Sequence, residues 1–391
     1  MARFDCRDSG GAPAVPCARD SWNLHHAEPW SRQLRDRAVA WAWRILHPAV
    51  RESFDRGVTL APLRALACPE GLPLRVLEER PGSSGVPVVL APTAGMGSDC
   101  FRYGGKAALA ERLRCLGFRV YLLGDAASLG EAAVTFDELV RTRVGHVLET
   151  VCQDAGAQAA HWVGHGLGGQ LGIAWASWGG GERLASLAVV GAPVVFPSVS
   201  SRHAAALSAL SWLPSGWSVP IPKVGTLMAV REGGGQTSGE GAHRRGVMRH
   251  TMSKVPVGLV RSAHRWLQNG ALTSDDGMLD YLPGVAATDV PLFWAAGRGD
   301  VLCPPEWMRP LDEVWGGAVM SRVLESGDDH LGLLSSEASI RQLHEPLGDW
   351  LVKHEERAWL DSREWDIPEA VEVDTRCSLG STFRRRLDGY A

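Results

Sequence analysis

Hydrophobic runs alternate with amphipathic stretches along most of this chain. Short apolar runs bounded by Gly or Pro, such as VPVVLAPT at 86–93 and AHWVGH at 160–165, are typical of buried strands. Residues 134–154 instead place their apolar side chains at helical spacing. This strand–helix rhythm predicts an α/β fold with a mostly parallel, doubly wound sheet. Strands are predicted over 72–80, 86–93, 117–124, 160–165, 184–195, 290–297 and 318–326, and helices over 31–50, 101–116, 134–154, 167–178 and 335–354.

Breaks in the rhythm divide the chain. Residues 196–285 hold Ser-, Pro- and Gly-rich stretches and short helices, so we interpret them as a helical cap inserted into the α/β domain. The predicted segments are an N-terminal extension with one helix (1–69), the first part of the domain (70–195), the cap (196–285), the second part of the domain (286–354) and a charged C-terminal extension (355–391).

Composition narrows the function classes. A net charge of −4 over 391 residues gives no basic surface for nucleic acid. The sequence has neither an apolar run of about 18 residues for a transmembrane segment nor the apolar core of a signal peptide at its start. Eight scattered cysteines without a CxxC pair indicate free thiols and a cytoplasmic protein.

No cofactor or metal is expected. The histidines lack the HxH and HExxH spacings of zinc sites. Gly164, Gly166 and Gly169 match the G-x-G-x-x-G spacing, but the next strand does not end in the acidic residue that a dinucleotide site requires.

The segment VGHGLGG at 163–169 is the centre of the functional prediction. A predicted buried strand runs into a sharp turn and directly into a helix, as in the nucleophile elbow G-x-S-x-G. The small flanking residues, here Gly164 and Gly168, allow the strained turn and close packing of the helix. Gly166 occupies the central position, where a nucleophile would carry its side chain.

Two later positions complete the pattern. Asp300 follows the predicted strand 290–297 and precedes a Pro pair, and His330 follows the last predicted strand. The chain order of nucleophile, acid and histidine is the order of Ser-Asp-His hydrolases on a parallel sheet. In that architecture two backbone N–H groups form an oxyanion hole, which we assign to Ala94 in the loop at 91–97 and to Leu167 after the elbow.

With these motifs the chain resembles α/β-hydrolase-fold esterases and lipases over about residues 70–354. It is similar, more distantly, to polyhydroxyalkanoate synthases, whose corresponding motif has Cys at its centre. The resemblance implies ester or acyl chemistry on a hydrophobic small molecule. The chain departs from the pattern at Gly166, which cannot form an acyl-enzyme, and at Pro92-Thr93, which replace the usual His-Gly pair of the oxyanion loop.

Three hypotheses follow. The first is a nucleophile-deficient pseudoenzyme that binds an apolar acyl or ester ligand, or a protein partner, without turnover. The second is an active ester hydrolase or acyltransferase that uses His330 and Asp300, either without a covalent step or with an unrecognised nucleophile. The third is a simple inactivating substitution at Gly166. Candidates for the missing nucleophile are Ser98, Cys100 and Cys303, and Asp125 is an alternative acid. Asp328 and Asp329 are interpreted as turn residues, and His165 is expected to point away from the pocket.

Overall fold

The computed structural model describes residues 62–69, 73–77, 85–102, 108–124, 134–197, 201–220, 254–325, 330–336 and 340–359. Contacts divide the chain into two compact units, Met1–Arg56 and Gly57–Ala391, and every described residue belongs to the second. The predicted helix at 31–50 lies outside the described residues, as do Asp125, Asp328 and Asp329.

Strands and helices alternate as the sequence predicts. The strands are β1 Leu63–Leu66, β2 Leu74–Leu77, β3 Pro87–Ala91, β4 Arg119–Leu123, β5 Ala160–His165, β6 Leu184–Val190, β7 Ser218–Pro220, β8 Lys254–Pro256, β9 Leu292–Gly297 and β10 Val319–Leu324. The α-helices of four or more residues are α1 Leu109–Cys115, α2 Gly145–Ala155, α3 Leu167–Ser177, α4 Ser201–Ser211, α5 Val257–Asn269, α6 Tyr281–Gly284, α7 Pro310–Val314, α8 Gly332–Ser335 and α9 Glu345–Lys353. A short helical turn at Phe136–Glu138 and a π-helical segment at Leu139–Val144 lead directly into α2.

Eight of these strands form one sheet in the order β1-β2-β4-β3-β5-β6-β9-β10. All neighbouring pairs from β4 to β10 are parallel, and β2 alone in this sheet runs antiparallel to both its neighbours. The predicted α/β class with a mostly parallel sheet is therefore confirmed. Because the carboxyl ends of parallel strands share one edge, the turns after β3, β5 and β9 come together there.

Both faces of the sheet are covered, and alternate strand residues enter two separate cores. Val89 and Trp162 pack with α2 and α3 on one face. Their neighbours Val88 and Val163 pack with α1 and α9 on the other. Because successive side chains of a strand point to opposite faces, strands covered on both sides are mostly apolar along their length, as β3 is; β5 is also fully buried but includes His161 and His165.

The described parts of the insertion between β6 and β9 lie outside the large sheet. β7 and β8 form a separate antiparallel pair. Helix α5 packs beside α4, and Arg261 on α5 donates hydrogen bonds to the carbonyl oxygens of Ser211 and Leu213. Trp266 on α5 meets Phe136 edge to face, with ring centroids 4.9 Å apart. This segment therefore contacts the helix-covered face that holds α2 and α3.

The folded region extends beyond the predicted domain limits at both ends. Strand β1 lies in the segment predicted as an N-terminal extension, and it pairs with β2 in the large sheet. The short 3₁₀ helix Glu355–Trp359 lies in the predicted C-terminal extension, where the carbonyl oxygen of Ala358 accepts hydrogen bonds from the backbone N–H groups of Gln158 and Ala159. Two residues of β1 are exposed and two are half-buried, so its sequence shows no clear alternation and no strand was predicted there.

The prediction of free thiols is correct at four described cysteines and wrong at one. Cys68, Cys100, Cys152 and Cys303 are free, whereas Cys115 is disulfide-bonded. Spacing along a chain cannot tell which cysteines meet in the fold. Thiol state therefore gives no support to a reducing compartment. Within the described ranges, no helix has both the length and the apolar character needed to cross a membrane.

Candidate active site

The turn from β5 into α3 is held in an unusual backbone conformation. Gly166 has φ of +51° and ψ of −117°, a region that residues with a side chain adopt only under strain. Its N–H donates to the carbonyl oxygen of Val190 at 3.0 Å, and its carbonyl oxygen accepts from the N–H groups of Gly169 and Gln170 at 3.0 Å each. The turn therefore has the sharp strand-to-helix geometry of a nucleophile elbow.

The flanking glycines are required by close backbone approaches. A Cβ on Gly164 would lie 2.3 Å from the backbone nitrogen of Gly169. A Cβ on Gly168 would lie 2.2 Å from the carbonyl oxygen of Ala91 at the end of β3. Neither position has room for a side chain, which explains the glycine spacing on which the elbow prediction depends.

Asp300 and His330, which lie after β9 and β10, meet beside this turn. The His330 Nδ1 atom lies 2.7 Å from Asp300 Oδ2. The second carboxylate oxygen, Oδ1, accepts hydrogen bonds from the backbone N–H groups of Leu302 and Cys303 at 2.9 and 3.0 Å. Asp300 is only 1% exposed, so its orientation is fixed by these three partners and by the surrounding core.

The protonation state of this pair follows from its contacts. Burial acts to raise the pKa of Asp300, but His330 and the two backbone N–H donors outweigh it and hold the pKa below its usual value. Asp300 is therefore a carboxylate, and Nδ1 of His330 must donate the hydrogen bond between them. In neutral His330 the Nε2 atom then carries the lone pair, as a general base requires.

Nε2 of His330 is directed towards the elbow. It lies 3.1 Å from the point that a Cβ on Gly166 would occupy. The structure therefore brings Gly166, Asp300 and His330 together in one place, with the side chain that would complete a triad missing at position 166.

His165, the last residue of β5, contacts His330. Its ring lies against the ring of His330, with centroids 4.4 Å apart, and its Nε2–H donates to the His330 carbonyl oxygen at 3.0 Å. Complete burial and the neighbouring His330 lower the pKa of His165 to about 3, so this residue stays neutral. The ring contact and this hydrogen bond help to position His330.

Thr93 occupies the space beside Gly166, and no role was predicted for its side chain from the sequence. Its Oγ1 atom lies 2.2 Å from the point where a Cβ on Gly166 would be. The same atom accepts a hydrogen bond from the backbone N–H of Leu167 at 3.3 Å. A sequence signal did exist, since Thr93 stands where the oxyanion loop usually has glycine.

The two predicted oxyanion donors are both neighbours of Thr93, Leu167 through a hydrogen bond and Ala94 along the chain. Leu167 begins α3, and its N–H donates a hydrogen bond to Thr93 Oγ1. Ala94 follows Thr93 in a turn closed by the hydrogen bond from Met96 N–H to the Thr93 carbonyl oxygen at 3.1 Å. Both residues line the same cavity beside the elbow.

That cavity is mostly apolar and lies between β3, β5 and the helical run at 136–155. Arg143 is the charged residue of its lining. This residue is buried, and its Nη2 atom lies 2.8 Å from Glu138 Oε1. The cavity is lined by Ala91, Pro92, Thr93, Ala94, Leu123, Gly124, Leu139, Arg143, Val144, Val147, Trp162, Leu167 and Leu171.

None of the other predicted nucleophiles supplies one of the three atoms nearest to the Cβ position of Gly166. The nearest atoms to its Cβ position belong to Thr93 and His330. Ser98 and Cys100 lie buried in a 3₁₀ segment, and Cys303 is completely buried beside Asp300. Burial, with the Asp300 charge, raises the pKa of the Cys303 thiol well above its usual value, so the thiolate is disfavoured. Within the described ranges, no three His, Cys, Asp or Glu side chains cluster in a way that could hold a metal ion.

Comparison with known proteins identifies the fold. No protein-family model and no curated protein sequence matches the chain. Among solved structures, it is similar to a lipase–esterase related protein from Clostridium acetobutylicum, with a TM-score of 0.51 and 11% identity over 72% of this chain and 99% of that one. It is also similar to a membrane phospholipase A described as a bacterial virulence factor, with a TM-score of 0.51 and 14% identity over 84% of this chain and 97% of that one. A third similar structure comes from work on carboxylesterases of Nitrososphaera gargenis, with a TM-score of 0.50 and 13% identity over 75% of this chain and 99% of that one.

These similarities and the strand order together show that the chain has the α/β-hydrolase fold. The fold predicted from the elbow motif and the strand–helix rhythm is thereby confirmed.

Proposed function

We propose that this chain acts on the acyl or ester group of an apolar ligand, with His330 as general base and Asp300 as the residue that orients it. Gly166 has no side chain, so it forms no covalent bond in this reaction. One observation carries the proposal: Nε2 of His330 lies 3.1 Å from the Cβ position of Gly166, while Nδ1 is bound to the buried Asp300 carboxylate.

The pair has the features that general-base catalysis needs. A carboxylate bound to Nδ1 fixes the tautomer in which Nε2 accepts a proton, and it stabilises the imidazolium that forms. Burial of Asp300 keeps water from competing for that hydrogen bond. A histidine in this arrangement can take a proton from water or from a hydroxyl group that attacks an ester carbonyl.

The lining of the cavity supports an apolar ligand. It is formed mainly by aliphatic side chains and Trp162, and it begins at the oxyanion loop and the first residue of α3. An acyl chain in this cavity would place its carbonyl group near Ala94 and Leu167, the proposed oxyanion donors. The similar structures named above are described as a lipase–esterase related protein, a phospholipase and carboxylesterases. Those names refer to enzymes that act on esters, the class of ligand proposed here.

Ligand binding without turnover is the second candidate function. It is favoured by the absence of a side chain at Gly166, since losing the nucleophile of a triad lowers kcat by about 10⁶-fold and leaves on the order of 10³–10⁴ over water. On this hypothesis the Thr93 side chain simply fills the vacant space.

Hydrolysis of p-nitrophenyl acetate, butyrate and octanoate by the full chain separates the two functions. We expect hydrolysis that falls by at least about 10²-fold in His330→Ala, the range expected for a lost general base. His264→Ala, a change on α5, is the matched control and should leave the rate unchanged. No hydrolysis in the wild type, with octanoate ester still bound in a direct binding assay, would establish binding without turnover instead.

A further inference from the structure

The hydroxyl of Thr93 accepts a hydrogen bond from the backbone N–H of Leu167, and it lies with Nε2 of His330 around the Cβ position of Gly166. We propose that Thr93 Oγ1 is the nucleophile of this site, supplied by the loop after β3 instead of by the elbow. The inference rests on the proposed ester or acyl function, because it names the atom that attacks.

The position of Oγ1 is the first support. It lies 2.2 Å from the Cβ position of Gly166, which is the space that the side chain of an elbow serine would fill. It also accepts the N–H of Leu167, the residue after the elbow, at 3.3 Å. In a hydrolase with a serine at the elbow, this N–H lies beside the nucleophile and belongs to the oxyanion hole. Thr93 therefore brings a hydroxyl from another strand to the usual place.

The base is the second support. Oγ1 of Thr93 and Nε2 of His330 approach the same point, at 2.2 and 3.1 Å. Asp300 holds the Nδ1 side of the ring at 2.7 Å, so the lone pair on Nε2 remains directed into this space. A hydroxyl becomes an effective nucleophile when a positioned base can take its proton, and the convergence of these two atoms on one point is the arrangement from which we infer that transfer.

The glycine is the third support. A Cβ at position 166 would lie 2.2 Å from Thr93 Oγ1 and 2.8 Å from Thr93 Cβ, both closer than real Cβ contacts. Position 166 must therefore lack a side chain for Thr93 to take its present position. The same crowding argues against a simple inactivating substitution at Gly166, since a side chain there would have to displace Thr93.

The proposed reaction has two balanced steps. Thr93 Oγ1 attacks the ester carbonyl carbon while its proton passes to Nε2 of His330, and the carbonyl oxygen becomes an oxyanion near the N–H of Leu167. Collapse breaks the bond to the alcohol, which leaves with the proton from His330, and an acyl group remains on Thr93. Water then attacks this acyl carbon and gives a proton to His330. A second collapse releases the carboxylic acid and returns that proton to Thr93 Oγ1.

A fluorophosphonate probe and p-nitrophenyl butyrate test this assignment on the full chain. The probe would exchange its fluoride for Thr93 Oγ1, and mass mapping should place the adduct on Thr93. We expect Thr93→Val to lose the adduct and at least about 10²-fold of the hydrolysis rate, whereas Thr93→Ser keeps both. Thr288→Val is the matched control, since Thr288 Oγ1 also accepts a backbone N–H, that of Val290, at 3.3 Å.

The outcomes separate this inference from the proposed function. An adduct on another residue, or His330-dependent hydrolysis that persists in Thr93→Val, would overturn the role of Thr93 and leave the general base in place. Absence of both hydrolysis and labelling in the wild type would overturn both proposals. If Thr93→Val does not fold, the adduct site in the wild type and in Thr93→Ser still decides the question.

Discussion

Placing serine at position 166 tests the space that Thr93 and the elbow share. The new Cβ would meet Thr93 Oγ1 at 2.2 Å, and the backbone would keep a φ of +51°. Backbone strain of this kind costs about 1–3 kcal/mol. Overpacking of the contact with Thr93 adds about 1–3 kcal/mol. We therefore expect Gly166→Ser alone to lower the free energy of unfolding by about 2–6 kcal/mol.

Removing the Thr93 side chain at the same time should recover the overpacking part. In a double-mutant cycle of Gly166→Ser and Thr93→Gly, measured by urea unfolding, we expect a favourable coupling of about 1–3 kcal/mol. The double variant also restores a hydroxyl at the elbow, so the fluorophosphonate adduct should form at position 166. Additive effects within about 0.5 kcal/mol would refute the reasoning, because they would mean that the two side chains do not compete for space.

Three further outcomes are expected. Asp300→Asn should slow His330-dependent ester hydrolysis by about 10⁴-fold, because backbone donors fix the amide oxygen and turn its NH₂ towards Nδ1, which forces the wrong tautomer; an unchanged rate would contradict the general-base role. Complete burial holds the folded pKa of His165, and that of His161 on β5, at about 3. Between pH 6 and pH 5 the free energy of unfolding should therefore fall by about 2–3 kcal/mol, because the unfolded chain protonates both histidines below their usual pKa of 6.5. Urea unfolding should show about half of that slope in His161→Gln, and an unaltered slope would reject this cause. Leu171→Trp should slow hydrolysis of p-nitrophenyl octanoate more than that of the acetate, since Leu171 lines the cavity; an equal effect on both esters would place the acyl chain elsewhere.

The elbow could be predicted from sequence because its determinants are local. An apolar strand, glycines at the close approaches of 164 and 168, and a helix start all lie within one short segment. Asp300 and His330 could be predicted for a related reason, since each follows a strand and parallel strands end at one edge of the sheet.

The role of Thr93 could not be predicted in the same way. Its contact with Leu167 joins residues 74 positions apart, and it depends on how closely the loop after β3 approaches the elbow. The direction of a loop side chain is set by the turn that carries it, here the turn closed from Met96 to Thr93, and not by hydrophobic periodicity. Edge strand β1 was missed because it is short and half-exposed, and Cys115 because disulfide partners are set by the tertiary fold.

The hydroxyl of Thr93 has a structural role whatever its chemistry, and this role can be measured separately. Without it, the N–H of Leu167 loses its acceptor, a loss worth about 1 kcal/mol when water can enter and up to about 3 when it cannot. Thr288→Val removes a bond of the same type and length, from the N–H of Val290 at 3.3 Å. We therefore expect the two valine variants to lose similar free energies of unfolding by urea, while only Thr93→Val loses the fluorophosphonate adduct. If Thr93→Val and Thr288→Val lose similar stability and are both still labelled to the same extent, the role of Thr93 beside Gly166 is structural only.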